Sequence, residues 1–272
     1  MKIAVAQTCT GIEPVRNAEM LVSAVAVAAA SGAAMLFTPE MSGLLDSNRA
    51  RARIHICAEA DDPVIAAVRQ AAAQQHIWVH LGSTPVLADS NDGRLANRAL
   101  MIDDTGMIRA RYDKMHLFDV DLQTGESWRE SAAYVGGMGP RLAETPLGKI
   151  GLSICYDLRF PALYQAYSAA GADLLAIPAA FTVPTGRAHW LTLLKARAIE
   201  NECFVIAAAQ AGTHEDGRET YGHSLVIDPW GEVLLDMGEG TDVGFAALDM
   251  ARLADIRTRI PVLAHRRNIP HI

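Results

Sequence analysis

The period of the apolar positions changes several times along the chain, and each change marks an element. Residues 2–8, KIAVAQT, are almost continuously apolar and read as a buried strand. In MLVSAVAVAAA (20–30) the apolar residues fall at helical spacing. Ser31–Gly32 stops that helix, and AAMLF (33–37) returns to a strand-like run. Residues 64–76 and 189–202 read as helices, each followed by an apolar run, IWVHLGST and CFVIAAAQ. The turns DDTG and DPWG place Asp and Gly between two apolar segments, as a short β-hairpin requires.

These elements occur twice. KIAVAQT at 2–8 resembles KIGLSIC at 149–155, and SGAAMLFTPE at 31–40 resembles AGADLLAIPA at 170–179, with Pro39 matching Pro178. ALMIDDTGMI at 99–108 resembles SLVIDPWGEV at 224–233. Each half therefore runs strand, helix, strand, helix, strand and hairpin, which predicts a mainly parallel sheet with crossover helices. Strands this apolar need cover on both faces. Helices cover one face of each sheet, and the sheet of the other half covers the second. The expectation is α/β, a four-layer α-β-β-α sandwich with an internal pseudo-twofold repeat. No Pro/Gly/Ser-rich linker separates the halves, so residues 1–272 read as one domain. Residues 113–148 belong to neither repeat, and a long irregular insert in a compact domain is usually functional.

Composition narrows the class. Half of the 272 residues are hydrophobic but only 6% are aromatic, so the core is built from small aliphatic side chains. A net charge of -7 without a basic stripe argues against nucleic-acid binding. The basic end HRRNIPHI reads as a solvated tail. The helix ending at Ser31 is too short for a bilayer, which takes about 20 apolar residues, and no signal-peptide core precedes the first strand. Cys9, Cys57, Cys155 and Cys203 are far apart, with neither metal-ligand nor disulfide spacing. A cytoplasmic protein with reduced thiols, without metal or membrane attachment, is expected.

One of those thiols sits where chemistry is usually found. In KIGLSICYDLRFP (149–161) a strand gives way at Cys155, and Pro161 then opens a helix. Open α/β sheets bind ligands beyond the carboxyl ends of their strands. Glu40 ends a strand in the first half, Cys155 ends one in the second, and Lys114 follows the hairpin strand MIRARY. Singly they read as a helix cap, a loop charge and a core filler. Together they supply a reaction. The thiolate is the nucleophile, and a thiol of pKa ~8.5 needs help to lose its proton at neutral pH. Glu40 is placed to accept that proton. Lys114 and a backbone N–H after Cys155 are placed to stabilise an oxyanion.

FTPE, DKMHLFD and CYDLRFP, in that order, resemble the nitrilase superfamily of carbon–nitrogen hydrolases over essentially the whole chain. The resemblance implies the sandwich, a Glu40–Lys114–Cys155 triad, Glu126 supporting the lysine, and the Tyr156 N–H in the oxyanion site. It also implies a homodimer and no cofactor. AFTVPTGRAHWLTLLKARAIENECFVIAAAQAG and RETYGHSLVIDPWGEV look like the Nit subgroup of amidases. That implies hydrolysis of a primary ω-amide, deaminated glutathione or a related α-keto ω-amide, to carboxylate and ammonia through a thioester. An N-carbamoyl amino acid or aliphatic amide hydrolase, and a non-catalytic binding protein on the same fold, are the alternatives. Arg159 suits a substrate carboxylate, or else a structural ion pair with Asp157 or Glu40. Thr182, Thr185 and His189 fall at the same rim as candidate substrate contacts, although Thr185–Gly186 equally suits a helix cap. His116 and His223 read as structural histidines.

Overall fold

Strand β1 (Lys2–Gln7) shows why the chain folds in layers. Ile3 and Val5 belong to a cluster with Ile150 and Leu152 of the second half. Ala4 and Ala6 belong to another, with Leu21 and Val25 of helix α1 (Pro14–Ala30). The two-residue period of the strand thus sorts its side chains between a sheet-to-sheet interface and a helix-to-sheet interface. In α1, Pro14 opens the helix where its missing N–H costs nothing, and Leu21, Ala24, Val25 and Ala28 form the buried stripe.

The computed structural model describes residues 1–90, 92–121, 125, 127–267 and 269. After α1 come β2 (Met35–Phe37), α2 (Arg49–Arg53), α3 (Pro63–Gln75), β3 (Trp78–Leu87), β4 (Leu95–Ile102) and β5 (Ile108–Asp113). Asp62 caps α3 by accepting from the Val64 and Ile65 N–H groups. A small hairpin, β6 (Asp119–Asp121) and β7 (Ser127–Arg129), then leads to β8 (Leu142–Thr145). The second half contains β9 (Gly148–Leu152), α4 (Pro161–Ala169), β10 (Leu174–Ala176), α5 (Val183–Asn201) and β11 (Phe204–Ala207). A two-stranded ribbon, β12 (Ala211–Thr213) and β13 (Glu219–Tyr221), precedes β14 (Leu225–Ile227), β15 (Val233–Asp236), β16 (Asp242–Ala247) and α6 (Met250–Arg259).

The six-stranded sheets run β16-β1-β2-β3-β4-β5 and β15-β14-β11-β10-β9-β8. In each, three strands are parallel (β1-β2-β3 and β9-β10-β11) and a hairpin is added antiparallel beside the third. This is the repeat expected from the sequence, and the sheets flanked by helices form the α-β-β-α arrangement. The sheets also exchange edges. β8, which follows the first half, joins the second sheet beside β9, and β16, which follows the second half, joins the first beside β1. Residues 113–148 therefore include a strand of the second sheet.

Two local expectations are revised. Helix α5 begins at Val183, six residues before the expected 189, because Pro184 fits the first turn with its fixed φ. The basic end is not wholly solvated: Arg266 donates to Ser168 Oγ at 2.8 Å and Asn201 Oδ1 at 3.1 Å.

Candidate active site

The loop after β2 is shaped by a bulge in its neighbour. The β3–β4 register shifts between Leu81 and Thr84, which frees Ser83 from the ladder. Ser83 then holds the Glu40 turn: its N–H donates to Pro39 O (3.2 Å), its carbonyl accepts from Ser42 N–H (2.8 Å), and its Oγ accepts from Met41 N–H (2.9 Å). Gly82 is required beside it, since a Cβ there would stand 2.0 Å from Thr38 O and 2.4 Å from Pro39 O.

Across the sheets, β9 ends at Leu152 and a 3₁₀ turn covers Cys155–Arg159. Cys155 opens it at φ +49°, a left-handed conformation that costs a non-glycine residue roughly 1–2 kcal/mol. Two anchors hold it there. Its N–H donates to Pro178 O at 2.8 Å, and Asp157 accepts from Ile154 N–H at 2.9 Å, Tyr112 OH at 2.7 Å and His116 N–H at 3.0 Å.

These elements bring Glu40, Lys114 and Cys155 together, with 4%, 3% and 8% of their surfaces exposed. Lys114 Nζ donates to Glu40 Oε1 at 2.9 Å and to Glu130 Oε2 at 2.9 Å. Glu40 Oε1 also accepts from Asn97 Nδ2 at 3.0 Å, and its Oε2 from Ala180 N–H at 2.9 Å. Burial alone would raise the Glu40 pKa, but the Lys114 charge and these donors bring it below its ordinary value. Burial would lower that of Lys114, but Glu130 and Glu40 lift it well above normal. Burial and the adjacent Glu40 carboxylate push the Cys155 thiol well up. The resting cluster is therefore a carboxylate, an ammonium and a neutral thiol.

All three line a cavity of about 880 Å³ together with Tyr156, Arg159, Thr182 and Thr185. The Tyr156 N–H has no acceptor among the described residues. Arg159 makes no ion pair with Asp157 or Glu40. Its guanidinium lies 5.6 Å from the Phe181 ring centre, with Nη2 3.3 Å from His189 Nδ1. Thr185 Oγ1 lies 2.8 Å from Thr182 Oγ1 inside the first turn of α5, so Thr185–Gly186 is not the cap. His189 is exposed and reaches the cavity only through Arg159. His116 pairs with Asp157 (2.6 Å) and His223 with Asp236 (2.9 Å). Among the described residues no side-chain cluster has the makeup to hold a metal, and no helix is long and apolar enough to cross a membrane.

Residues 2–258 match the family model described as carbon-nitrogen hydrolase. The chain belongs to that family. A carbon–nitrogen hydrolase from Yersinia enterocolitica, named deaminated glutathione amidase, is 40% identical over 238 residues, which is 87% of this chain and 83% of that one. The Caenorhabditis elegans NitFhit structure superposes with TM-score 0.89 at 37% identity, covering 98% of this chain and 65% of its own. An amidase from Nesterenkonia sp. AN1, with acrylamide added at its active-site cysteine, gives TM-score 0.79 at 27% identity over 96% and 98%.

The hydrolase site also contains residues that sequence reasoning missed. Glu126, expected beside the lysine, lies outside the described residues, and the carboxylate found against Nζ is Glu130, four positions later. No periodicity in the insert distinguishes the two. Asn97 carried a signal, as the one amide in a strand, LANRALMI, that is otherwise apolar but for Arg98.

Proposed function

We propose that residues 1–272 act as a single amidase domain in which Cys155 attacks an ω-amide bearing an α-keto carboxylate. The observation that carries this reading is the buried Glu40–Lys114 ion pair beside a protonated Cys155 at the floor of a large cavity. Glu40 takes the thiol proton as Sγ bonds to the amide carbon. The carbonyl oxygen becomes an oxyanion stabilised by Lys114 Nζ and the Tyr156 N–H. Collapse breaks the C–N bond, Glu40 returns the proton to the departing nitrogen, and a thioester remains. Glu40 then deprotonates a water that attacks the thioester. The product carboxylate leaves and the proton returns to Cys155, so the covalent route closes without a cofactor. Glu130 keeps Lys114 charged and in place.

Substrate chemistry refines one expectation. A primary ω-amide releases ammonia, but in deaminated glutathione the amide nitrogen is that of cysteinylglycine. There the leaving group is the dipeptide amine. Support for an anionic substrate comes from the lining, which carries seven basic and four acidic side chains in a protein of net charge -7. Arg159, without a carboxylate partner among the described residues, is the candidate for the keto-acid carboxylate, and Thr182 and Thr185 line the same cavity. Four free cysteines suit a reducing cytoplasm. Exposed Leu191 and Ile199 on α5, with exposed Trp230 on the turn whose Gly231 lies against Ile199, offer apolar surface for a second copy and so a homodimer.

Steady-state assays test the reading with 2-oxoglutaryl-cysteinylglycine, 2-oxoglutaramate, an N-carbamoyl amino acid and a simple aliphatic amide. The keto amides should exceed the other two in kcat/KM by roughly 100-fold, and Arg159→Ala should act mainly through KM. A carbamoyl compound or plain aliphatic amide that outruns both keto amides contradicts the substrate.

A further inference from the structure

The cavity is far larger than a five-carbon keto amide needs, and its cations are not confined to the nucleophile. Arg49 and Arg53 project from the short helix α2 in the loop after Glu40. Both are exposed and both line the cavity. Among the described residues Arg53 has no hydrogen bond or ion pair, and Arg49 donates only to the Arg129 carbonyl at 2.7 Å. The other cations of this rim are already matched: Arg94 to Asp92 at 2.6 Å, and Arg129 to Asp121 at 2.9 Å. The acids are matched too, since Asp46 is held by Arg51 at 2.6 Å. On the adjoining wall the Arg218 guanidinium stacks 4.6 Å from the Trp128 ring centre, with Asp216 only at 3.7 Å. Neither Arg218 Nε nor Trp128 Nε1 has an acceptor among the described residues. Among the described residues this side of the cavity has donors in surplus and too few acceptors, and the complement of such a wall is an anion.

We infer that Arg49 and Arg53, backed by Arg218 on Trp128, form a second anion subsite at the cavity mouth, which takes a free carboxylate on the leaving-group side of the amide. The inference rests on the keto-amide reading above and makes it more specific. Arg159 lies on the nucleophile turn and holds the acyl end. α2, in the loop after Glu40, lines the same cavity and holds the amine end. The preferred substrate is then an extended amide with carboxylates at both ends, and the second carboxylate is recognised at a solvent-exposed rim.

The test compares two substrates that differ only in that carboxylate: 2-oxoglutaryl-cysteinylglycine and its C-terminal carboxamide. Wild type should favour the free acid by about 10-fold in kcat/KM, the difference lying in KM, because contacts at an exposed rim are worth less than buried ones. In the Arg49→Ala/Arg53→Ala double variant the ratio should fall to near 1. Arg259→Ala removes a charge from α6, away from the cavity, and should keep the wild-type ratio. A wild type that turns over both compounds equally overturns the subsite and leaves the keto-amide reading standing, as does a double variant that keeps the preference. A ratio lost equally in Arg259→Ala reduces the effect to net charge and also overturns the subsite. Failure of both compounds as substrates overturns both readings.

Discussion

Glu40 has to be ionised while almost wholly buried, and Lys114 makes that possible. The sign of each shift fixes how the pair responds to pH. The Glu40 carboxyl titrates below its ordinary 4.5, so the stability its ion pair contributes is fully present above that value and is lost as pH falls through the folded pKa. Lys114 is displaced above its ordinary 10.5, so its contribution is complete below that value and disappears only as pH rises through the folded pKa. The rate should hold a plateau from about pH 5 to 9, and a pH–rate profile with a step near neutrality would contradict the assignment. Glu40→Gln should lower kcat by ~10²–10⁴-fold with the fold intact, because the amide keeps the volume and one acceptor. Lys114→Ala should cost a similar factor in rate, and also roughly 3 kcal/mol of stability, since it leaves Glu40 and Glu130 buried without their cation. Single-turnover rates and melting curves separate the two effects. The double variant should be little slower than the worse single one, as for groups acting in one step.

At the scale of elements, Glu40, Lys114 and Cys155 were readable in the sequence as a candidate set because each stands at a strand end, where ligands bind in sheets of this kind. The residues that hold them were not. Ser83 matters through its backbone and hydroxyl at a register shift of β3, and no periodicity reports which side of a bulge a residue faces. Glu130 sits in a segment whose fold depends on contacts with Lys114 and Phe118 N–H, so nothing local favours it over Glu126. Helix α5 was placed late because Pro184 and Gly186, which read as helix breakers, fall in its first turn. Gly82 gives the sharpest test at this scale. Gly82→Ala would drive a methyl group into the Thr38 and Pro39 carbonyls and displace the Glu40 turn. It should cost about 2–3 kcal/mol and slow turnover about tenfold or more, through kcat rather than KM. Unchanged kcat in a folded Gly82→Ala protein would show that the bulge does not position Glu40.

For the whole molecule, the internal repeat predicted the two sheets from sequence alone, but the exchange of β8 and β16 between them was hidden. β8 has only four residues, and the partners of both strands are set by where the chain crosses from one half to the other. The same crossing places the proposed catalytic groups: Glu40 and Lys114 come from the first half, Cys155 from the second. Tyr112 on β5 donates to Asp157 in the nucleophile turn, and Gln210 after β11 donates to the Glu40 carbonyl at 2.9 Å, so each half is bonded to the reactive residues of the other. Tyr112→Phe should cost about 1 kcal/mol, and Asp157→Ala about 3 kcal/mol or more, because it strands several buried donors. Both should slow turnover, as measured by chemical denaturation alongside kcat. The central claim, that the thiol of Cys155 is the nucleophile, is tested most directly by the turnover of Cys155→Ala on 2-oxoglutaryl-cysteinylglycine, with Cys9→Ala, Cys57→Ala and Cys203→Ala beside it. The account predicts a folded Cys155→Ala protein slower than wild type by at least about 10⁴-fold, with the other three active. A folded Cys155→Ala protein within tenfold of wild type would contradict it.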